Sequence, residues 1–523
     1  MAIRAAQKTP ILIFGTGAGG ISFYKNCRAR YNVVGFLDNN QQKHGQTLFG
    51  KTIHAPQQLG SLAFEKIIIA SDYYRDIYPQ LVDELAVSED KISIFHKQLS
   101  SPNLRQRCNA RLERLGYELM CRREGLISDW LYRLFFKQQN PLGRISRCKL
   151  RWLDEVSTNK VHVFRPAVAG SVQGPRFVGQ ATPATAITLP EVALYRFQQA
   201  QVCSVSRSVI LADGQVIAER VVTAPSADAD YSGAHLLYHG RTLALARRGQ
   251  NQPIAKGLLV SGGSEVNYYH WVLEILSQLQ FIAELPSAYD DYPVLISQHS
   301  QNIPSIKALI ASLGIARPVV FLNSVTSYCV ADLLLISAPN NCVPNFKGSA
   351  YSRAENSFAR PESIQFLRDK ALALTAGIDR ASLPKRVFLG RKGFLRPYNQ
   401  AEVLARIEAL GFVCVYMEEQ DIHHQVAIMA NAEVIIGPTG AAWTNIIFAS
   451  QGAKALCWMA KEAGELSCFS NLADIVGVEM DYIPYQADTS DSREIYYKEY
   501  AIDTDVIVSW LQRTLPTSPS GHL

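Results

Sequence analysis

The sequence predicts an α/β protein: a Rossmann-like unit at the N-terminus followed by two further Rossmann-like halves. Three observations predict it. Short Val- and Ile-rich runs alternate with helical periodicity over residues 10–97 and again from 257 onward, as parallel strands joined by crossover helices require. Glycine turns follow predicted strands at Gly15–Gly20 and Gly437–Gly440, where open α/β sheets bind ligands. The chain of 523 residues is too long for one ordinary core.

The elements run as follows. PILIFGTGAGG is a strand into a glycine turn, ISFYKNCRARY a helix, NVVGFLDNN a second strand and KIIIASDYY a third. DIYPQLVDELAV is a helix and KISIFH a closing strand, which completes a first unit over 1–97. Residues 98–150 read as a basic helical linker. Arg105–Arg151 carries twelve Lys/Arg against four Asp/Glu, and DWLYRLFF sets aromatic residues among arginines. Residues 151–380 form the next half. Its start is β-rich and partly antiparallel (KVHVF, SVILADGQVIAE, RTLALARR), with Asp213-Gly214 as a hairpin signal. GLLVSG, PVLIS, PVVFL and DLLLIS are strands, NYYHWVLEILSQLQFIAEL one long helix and RPESIQFLRDKALAL another. Residues 381–523 form the last half: RVFLG, VCV and EVIIGP as strands, helices between them, and DVIVSWLQRTL as a closing helix.

Composition excludes several classes. The net charge of +6 is too mild to imply nucleic acid. No apolar run approaches the ~20 residues that span a bilayer, and MAIRAAQKTPILIFGTG is no signal peptide. Ten cysteines without a CxxC read as reduced thiols, so cytoplasm is the expected location. The basic, aromatic stretch 105–151 is a candidate for peripheral docking on the inner face of an anionic membrane; the plain alternative is a solvated linker packing by its aromatics.

Four constellations carry chemistry. Gly15-Thr16-Gly17-Ala18-Gly19-Gly20 is a full GxGxxG between strand and helix, with Asp38 ending the next strand. It reads as a nucleotide site: Gly15 for the turn, Gly17 and Gly20 for close approach, Asp38 for a ribose hydroxyl. The alternative is a docking module without ligand. His270 and Glu274 share one helix face, and a histidine near a helix N-terminus is expected to favour its neutral form, as a general base or donor to a sugar. Arg391 and Lys392 follow the strand RVFLG, where an arginine suits a phosphate; Arg396 and Asn399 come next, with Asn399 expected to cap a helix. Gly437, Thr439, Gly440, Ala441, Thr444 and Asn445 form a small-residue turn whose N–H groups and hydroxyls can meet an anion. Asp228-x-Asp230 and Asp503-x-Asp505 look like metal motifs, but Asp503 reads better as a helix cap, and no metal is expected.

The blocks NYYHWVLE, RVFLGRKGFLRPYN and GFVCVYMEEQDIHHQVAIMANAEVIIGPTGAAWTN follow in the order seen in family 61 glycosyltransferases, whose bacterial members are often labelled capsular polysaccharide biosynthesis proteins. The resemblance covers roughly residues 151–480. It implies a GT-B-like pair of Rossmann domains, inversion at the anomeric carbon, and a nucleotide-sugar donor, UDP-linked in known relatives, with no metal or other cofactor. It places Arg391, Lys392 and the 437–445 turn on the donor, and His270 and Glu274 near the cleft as candidate bases. Thr439 stands where the family commonly has His. Residues 10–97 (GFLDNN, FGKTIHAP, IIIAS) resemble the nucleotide-binding module of polysaccharide-pathway sugar dehydratases and acetyltransferases. The expected activity is transfer of a sugar to a capsular, surface or lipid-linked glycan. Two rivals are a non-catalytic nucleotide-sugar sensor or scaffold and a nucleotide-sugar oxidoreductase working from Gly15–Gly20.

Overall fold

The computed structural model describes residues 8–515, apart from 28–30, 72–76, 79, 89–90, 95–111, 113, 122–129, 131–143, 181, 223–227, 250–251, 264, 266, 325, 342, 392–395, 490 and 493. The chain divides into two compact units, Met1–Leu112 and Glu113–Leu523.

In the first unit six strands form one sheet. In spatial order they are Thr47–Leu48, Lys51–His54, Asn32–Leu37, Pro10–Phe14, Lys66–Ile69 and Ile92–Ile94. All neighbours are parallel except the edge hairpin at 47–54. The first strand in sequence sits centrally, as in doubly wound nucleotide-binding sheets. Ile11, Leu12, Ile13 and Phe14 are all buried, because a parallel sheet is covered on both faces.

The second unit holds two large sheets. The downstream sheet is wholly parallel, in the order Arg176–Phe177, Glu479–Tyr485, Lys454–Ala460, Val434–Pro438, Arg386–Leu389, Val413–Val415. Helices Gln400–Ile407 and Ile422–Asn431 make the crossovers, the latter capped by Asp421, which accepts from the His424 N–H at 2.9 Å. Asp503 caps the closing helix Thr504–Thr514 by accepting from the Asp505 N–H, as its sequence position predicted.

The upstream sheet is not parallel throughout. It is mixed. Strands Leu236–His239, Leu243–Arg248, Val192–Val202 and Tyr328–Ile336 all take part in antiparallel pairs, Tyr328–Ile336, Gln252–Val260, Val294–Ser297 and Val319–Leu322 form a parallel run, and Val216–Ala218 pairs in parallel with Arg144–Trp152. The cause is connection length: short turns such as Asp213-Gly214, with Gly214 at φ +86°, can only reverse the chain, whereas parallel neighbours need a crossover. The predicted basic linker lies largely outside the described residues; Met120 and Cys121 pack with Ile145, Leu243 and Leu245 of this sheet.

One core joins the two sheets. It runs from Phe164 and Val192 through Leu273 and Phe281 to Val387, Trp443 and Leu511. The edge strand Arg176–Phe177 comes from upstream of both parallel runs and pairs with Asp481 and Tyr482, reinforced by Arg176 Nε on Asp481 at 2.9 Å.

Candidate active site

The downstream sheet has a reversal in strand order. From Arg386–Leu389 the chain crosses to Val413–Val415 on one side; from Val434–Pro438 it crosses to Lys454–Ala460 on the other. The two strands are neighbours, so their C-terminal ends open a crevice, the place where ligands bind in such sheets. Arg391 lies just beyond the first strand and the Gly437–Gly440 turn at the end of the second.

The sequence builds this corner tightly. The Arg391 backbone N–H donates to Gln400 Oε1 at 2.8 Å, and Gln400 Nε2 returns a bond to the Arg391 carbonyl at 3.2 Å. Arg391 Nη1 donates to the Arg396 carbonyl at 3.2 Å, and Nη2 to the Thr439 carbonyl. Arg396 adopts a left-handed backbone at φ +52°, which costs a non-glycine residue about 1–2 kcal/mol. Its guanidinium stacks on the Tyr496 ring, 4.9 Å from the centroid, and its Nε is buried without a hydrogen-bond partner among the described residues. A Cβ on Gly440 would lie 3.2 Å from Arg391 Nη2 and 3.6 Å from Arg396 Nη2, so both cations converge on that peptide and only glycine fits comfortably. Stacked rings of Tyr398, Tyr500 and Tyr485 pack alongside. Among the described residues no carboxylate pairs with either guanidinium. Burial, with the Arg391 charge beside it, pulls Arg396 below the usual guanidinium range.

The remaining turn residues divide by role. Gly437 is needed for packing, since a Cβ there would meet Leu389 Cβ at 2.8 Å and its carbonyl at 2.9 Å. Thr439 is buried, with its N–H on the Trp458 carbonyl at 3.0 Å. Gly440 is half-buried and Ala441 exposed at the start of the turn of helix Ala441–Phe448. Thr444 and Asn445 are fully buried. Asn445 donates to Gln425 at 3.2 Å and accepts from the Tyr268 hydroxyl at 2.8 Å, so its carboxamide holds helices together inside the protein. Lys392 lies outside the described residues. Asn399 is a correction: it precedes helix Gln400–Ile407, but its side chain makes no cap. Its Oδ1 accepts from the Ile502 N–H at 2.9 Å and its Nδ2 donates to the Ile502 carbonyl at 3.0 Å, which ties the helix start to the closing segment.

That Tyr268–Asn445 bond joins the turn to the helical run Tyr268–Glu284. Asn267 caps it, accepting from the Tyr269 N–H. The run is not one regular α-helix as expected: a π turn spans Trp271–Ile275 and tighter 3₁₀ winding follows over Leu276–Glu284. Such interruptions recur at functional sites. The Leu273 carbonyl accepts from Ser277 Oγ at 2.7 Å and Asn340 Nδ2 at 2.7 Å, and the Glu274 carbonyl from Gln278 Nε2 at 2.7 Å. His270 Nδ1 and Glu274 Oε2 are 2.9 Å apart. The expectation of a neutral-leaning histidine is overturned. Burial does favour the neutral ring, but the Glu274 carboxylate outweighs it and raises the His270 pKa. Both side chains line a pocket against the upstream sheet.

In the first unit, Gly15 takes φ +109°, and a Cβ on Gly20 would lie 1.9 Å from the Gly15 carbonyl. Nothing lies within 4 Å of a Cβ on Gly17, so its face is open. Asp38 is heavily engaged. Its Oδ2 accepts from the Thr16 N–H at 3.2 Å, the Thr16 hydroxyl and Lys43 Nζ at 2.9 Å; its Oδ1 accepts from the Asn40 N–H at 2.9 Å. Burial works against ionisation, yet these bonds win and hold its pKa low.

With this geometry in place, comparison with known proteins is informative. Residues 268–456 match the family model Glycosyltransferase 61. The glycosyltransferase 61 segment contains Tyr268, His270, Glu274, Arg391 and the whole 437–445 turn, and it supports glycosyltransferase activity in general terms. Such activity implies a nucleotide-sugar donor and a glycan acceptor. Residues 7–93 match the family model C2185-like, N-terminal. No curated protein matches the chain. Among solved structures, UDP-D-quinovosamine 4-dehydrogenase from Vibrio fischeri aligns at 23% identity over 20% of this chain and 87% of its own, with a TM-score of 0.15, too low to carry an argument. Sequence reasoning left Arg396 out of the donor set; the signal was the second arginine in one short loop, RKGFLRP, ahead of a proline. Among the described residues no group of three His, Cys, Asp or Glu side chains is placed to hold a metal ion, and no helix is long and apolar enough to cross a membrane.

Proposed function

We propose that residues 113–523 act as an inverting glycosyltransferase with a GT-B-like pair of sheets, using a nucleotide-sugar donor, UDP-linked by family resemblance, and a surface or capsular glycan acceptor. One observation carries the reading: two guanidiniums, Arg391 and Arg396, converge on the Gly440 peptide at a strand-order reversal with no carboxylate between them among the described residues. Adjacent like charges in a partly dry corner favour a polyanion. A diphosphate would bridge them, and the backbone from half-buried Gly440 to exposed Ala441 adds donors. As the glycosidic bond breaks, charge develops on the departing diphosphate and both cations stabilise it.

On the other side, His270 with Glu274 is the base that takes the proton from the acceptor hydroxyl. Glu274 orients the ring through the 2.9 Å contact, which leaves Nε2 for the substrate. No metal enters this scheme. The N-terminal module is read as a separate nucleotide-binding turn, though Asp38's bonds to Thr16 and Lys43 leave it poorly placed for a ribose diol.

Calorimetry on the full chain with UDP, GDP and ADP tests the donor half. Arg391→Ala should cost about 2–4 kcal/mol of transition-state stabilisation, by analogy with loss of one oxyanion donor. Unchanged nucleotide binding and turnover in both Arg391→Ala and Arg396→Ala would end the proposal.

A further inference from the structure

The pocket beside His270 has an electrostatic character opposite to that of the arginine corner. Every cation on its wall is matched. Arg207 is ion-paired with Glu219 and donates to the carbonyls of Ser261 and Ile336 at 2.9 Å each; Glu219 also accepts from the Ala338 N–H. His270 is matched by Glu274. Asp230 has no Lys or Arg partner among the described residues, only the His239 ring 3.9 Å away, which burial holds towards its neutral form, so an anion is disfavoured here.

We infer that this pocket seats the acceptor as a neutral saccharide ring, read by Asn341 and Asp230. The inference deepens the glycosyltransferase reading and rests on it.

Two side chains on the wall have unused hydrogen-bonding capacity. Asn341 is 6% exposed, and its Nδ2 is buried with no hydrogen-bond partner among the described residues. Its backbone is fixed by a reciprocal bridge to Phe358, at 2.9 and 2.8 Å, so the amide is held in place by the ladder and not by its own bonds. Asp230 Oδ1 accepts from the Ser232 N–H at 3.0 Å and from its hydroxyl, while Oδ2 has no partner among the described residues. One fixed donor and one fixed acceptor are what a pair of ring hydroxyls requires. The rest of the lining suits the C–H face of a sugar: Val205, Ala218, Val343, Pro344 and the Tyr231 ring. The pocket reaches His270 and Glu274, so a hydroxyl seated in it lies beside the proposed base. Much of the wall, including Ser206, Glu219 and Asp230, lies upstream of the 268–456 family match. Acceptor choice therefore draws on both sides of that boundary, with Asn341 inside the matched segment and Asp230 outside it.

The test titrates the full chain with methyl glycosides of glucose, galactose, mannose, xylose and N-acetylglucosamine by saturation-transfer NMR, and in parallel with UDP by calorimetry. At least one glycoside should saturate. Asn341→Leu and Asp230→Asn should each weaken it tenfold or more and leave UDP binding unchanged. Asn341→Leu should melt at the same or a higher temperature, because it removes an unsatisfied buried donor; a merely structural asparagine would instead lower the melting point. UDP binding without any glycoside binding would overturn the acceptor pocket and leave the donor reading standing. Glycoside binding that survives both variants, or a phosphorylated glycoside binding more tightly than its neutral parent, would also overturn it. Glycoside binding lost in the variants, on a chain that binds no nucleoside diphosphate, would keep the pocket and remove the donor reading.

Discussion

Arg396 shows how one residue can hold charge where the backbone resists it. Its left-handed φ is unfavourable, and its guanidinium sits beside another. Replacing it with Ala keeps the Cβ, and with it the backbone strain, while removing a charge-assisted contact of about 1.5–3 kcal/mol, a loss of roughly 10–100-fold in nucleoside diphosphate affinity read by calorimetry. The affinity that remains should fall less steeply with added salt, because one of two cations is gone. His270 makes a prediction of its own. Its folded pKa is raised by Glu274, against burial, so the pairing stabilises the protein fully below pH 6.5 and the gain is lost as pH climbs through the raised value. Activity has the opposite sign, since a base must be neutral: kcat/KM should rise through the same value. Glu274→Gln removes the charge and leaves burial, so that rise should move to lower pH. A pH–rate profile with an unmoved inflection would dismiss His270 as the titrating group.

At the scale of elements, the helical run Tyr268–Glu284 was legible as helix but not in its winding. The apolar spacing of WVLEILSQLQF marks a buried helix, whereas nothing local announces the π turn, whose Leu273 carbonyl is bound by Asn340 from far along the chain. Asn399 failed in the same way. Asn-Gln-Ala-Glu is a cap pattern locally, but the Ile502 peptide competes for the side chain and wins both of its polar atoms. Asn399→Ala should therefore cost about 1–3 kcal/mol, because it leaves buried backbone groups unsatisfied. Thermal or urea melting would check this, and a change of a few tenths would mean water replaces the side chain. Gly437 was legible as a turn signal, though its reason was not: the neighbouring strand end at Leu389 crowds it. Gly437→Ala should destabilise by about 1–3 kcal/mol through overpacking, without acting on ligand charge.

For the whole molecule, alternation of strand and helix was enough to read the parallel sheets, because crossovers leave a periodic trace along the chain. The antiparallel start of the upstream sheet was legible through its short β-rich runs and the Asp213-Gly214 hairpin signal, whereas the edge strand Arg176–Phe177 was not. Two residues pairing with a strand some 300 positions later leave no local pattern. That pairing and the shared core predict that a fragment 381–523 expressed alone will not fold cooperatively, as judged by circular dichroism and limited proteolysis; a sharp melt from that fragment would separate the sheets energetically. The arginine corner has a consequence for the timing of turnover. A nucleoside diphosphate bears more negative charge once its ester partner has gone, so two cations with no carboxylate partner among the described residues grip the by-product harder than the reagent. Exit of the spent nucleotide should then limit the cycle, and adding a phosphatase that destroys it should speed the steady state while leaving the first round untouched.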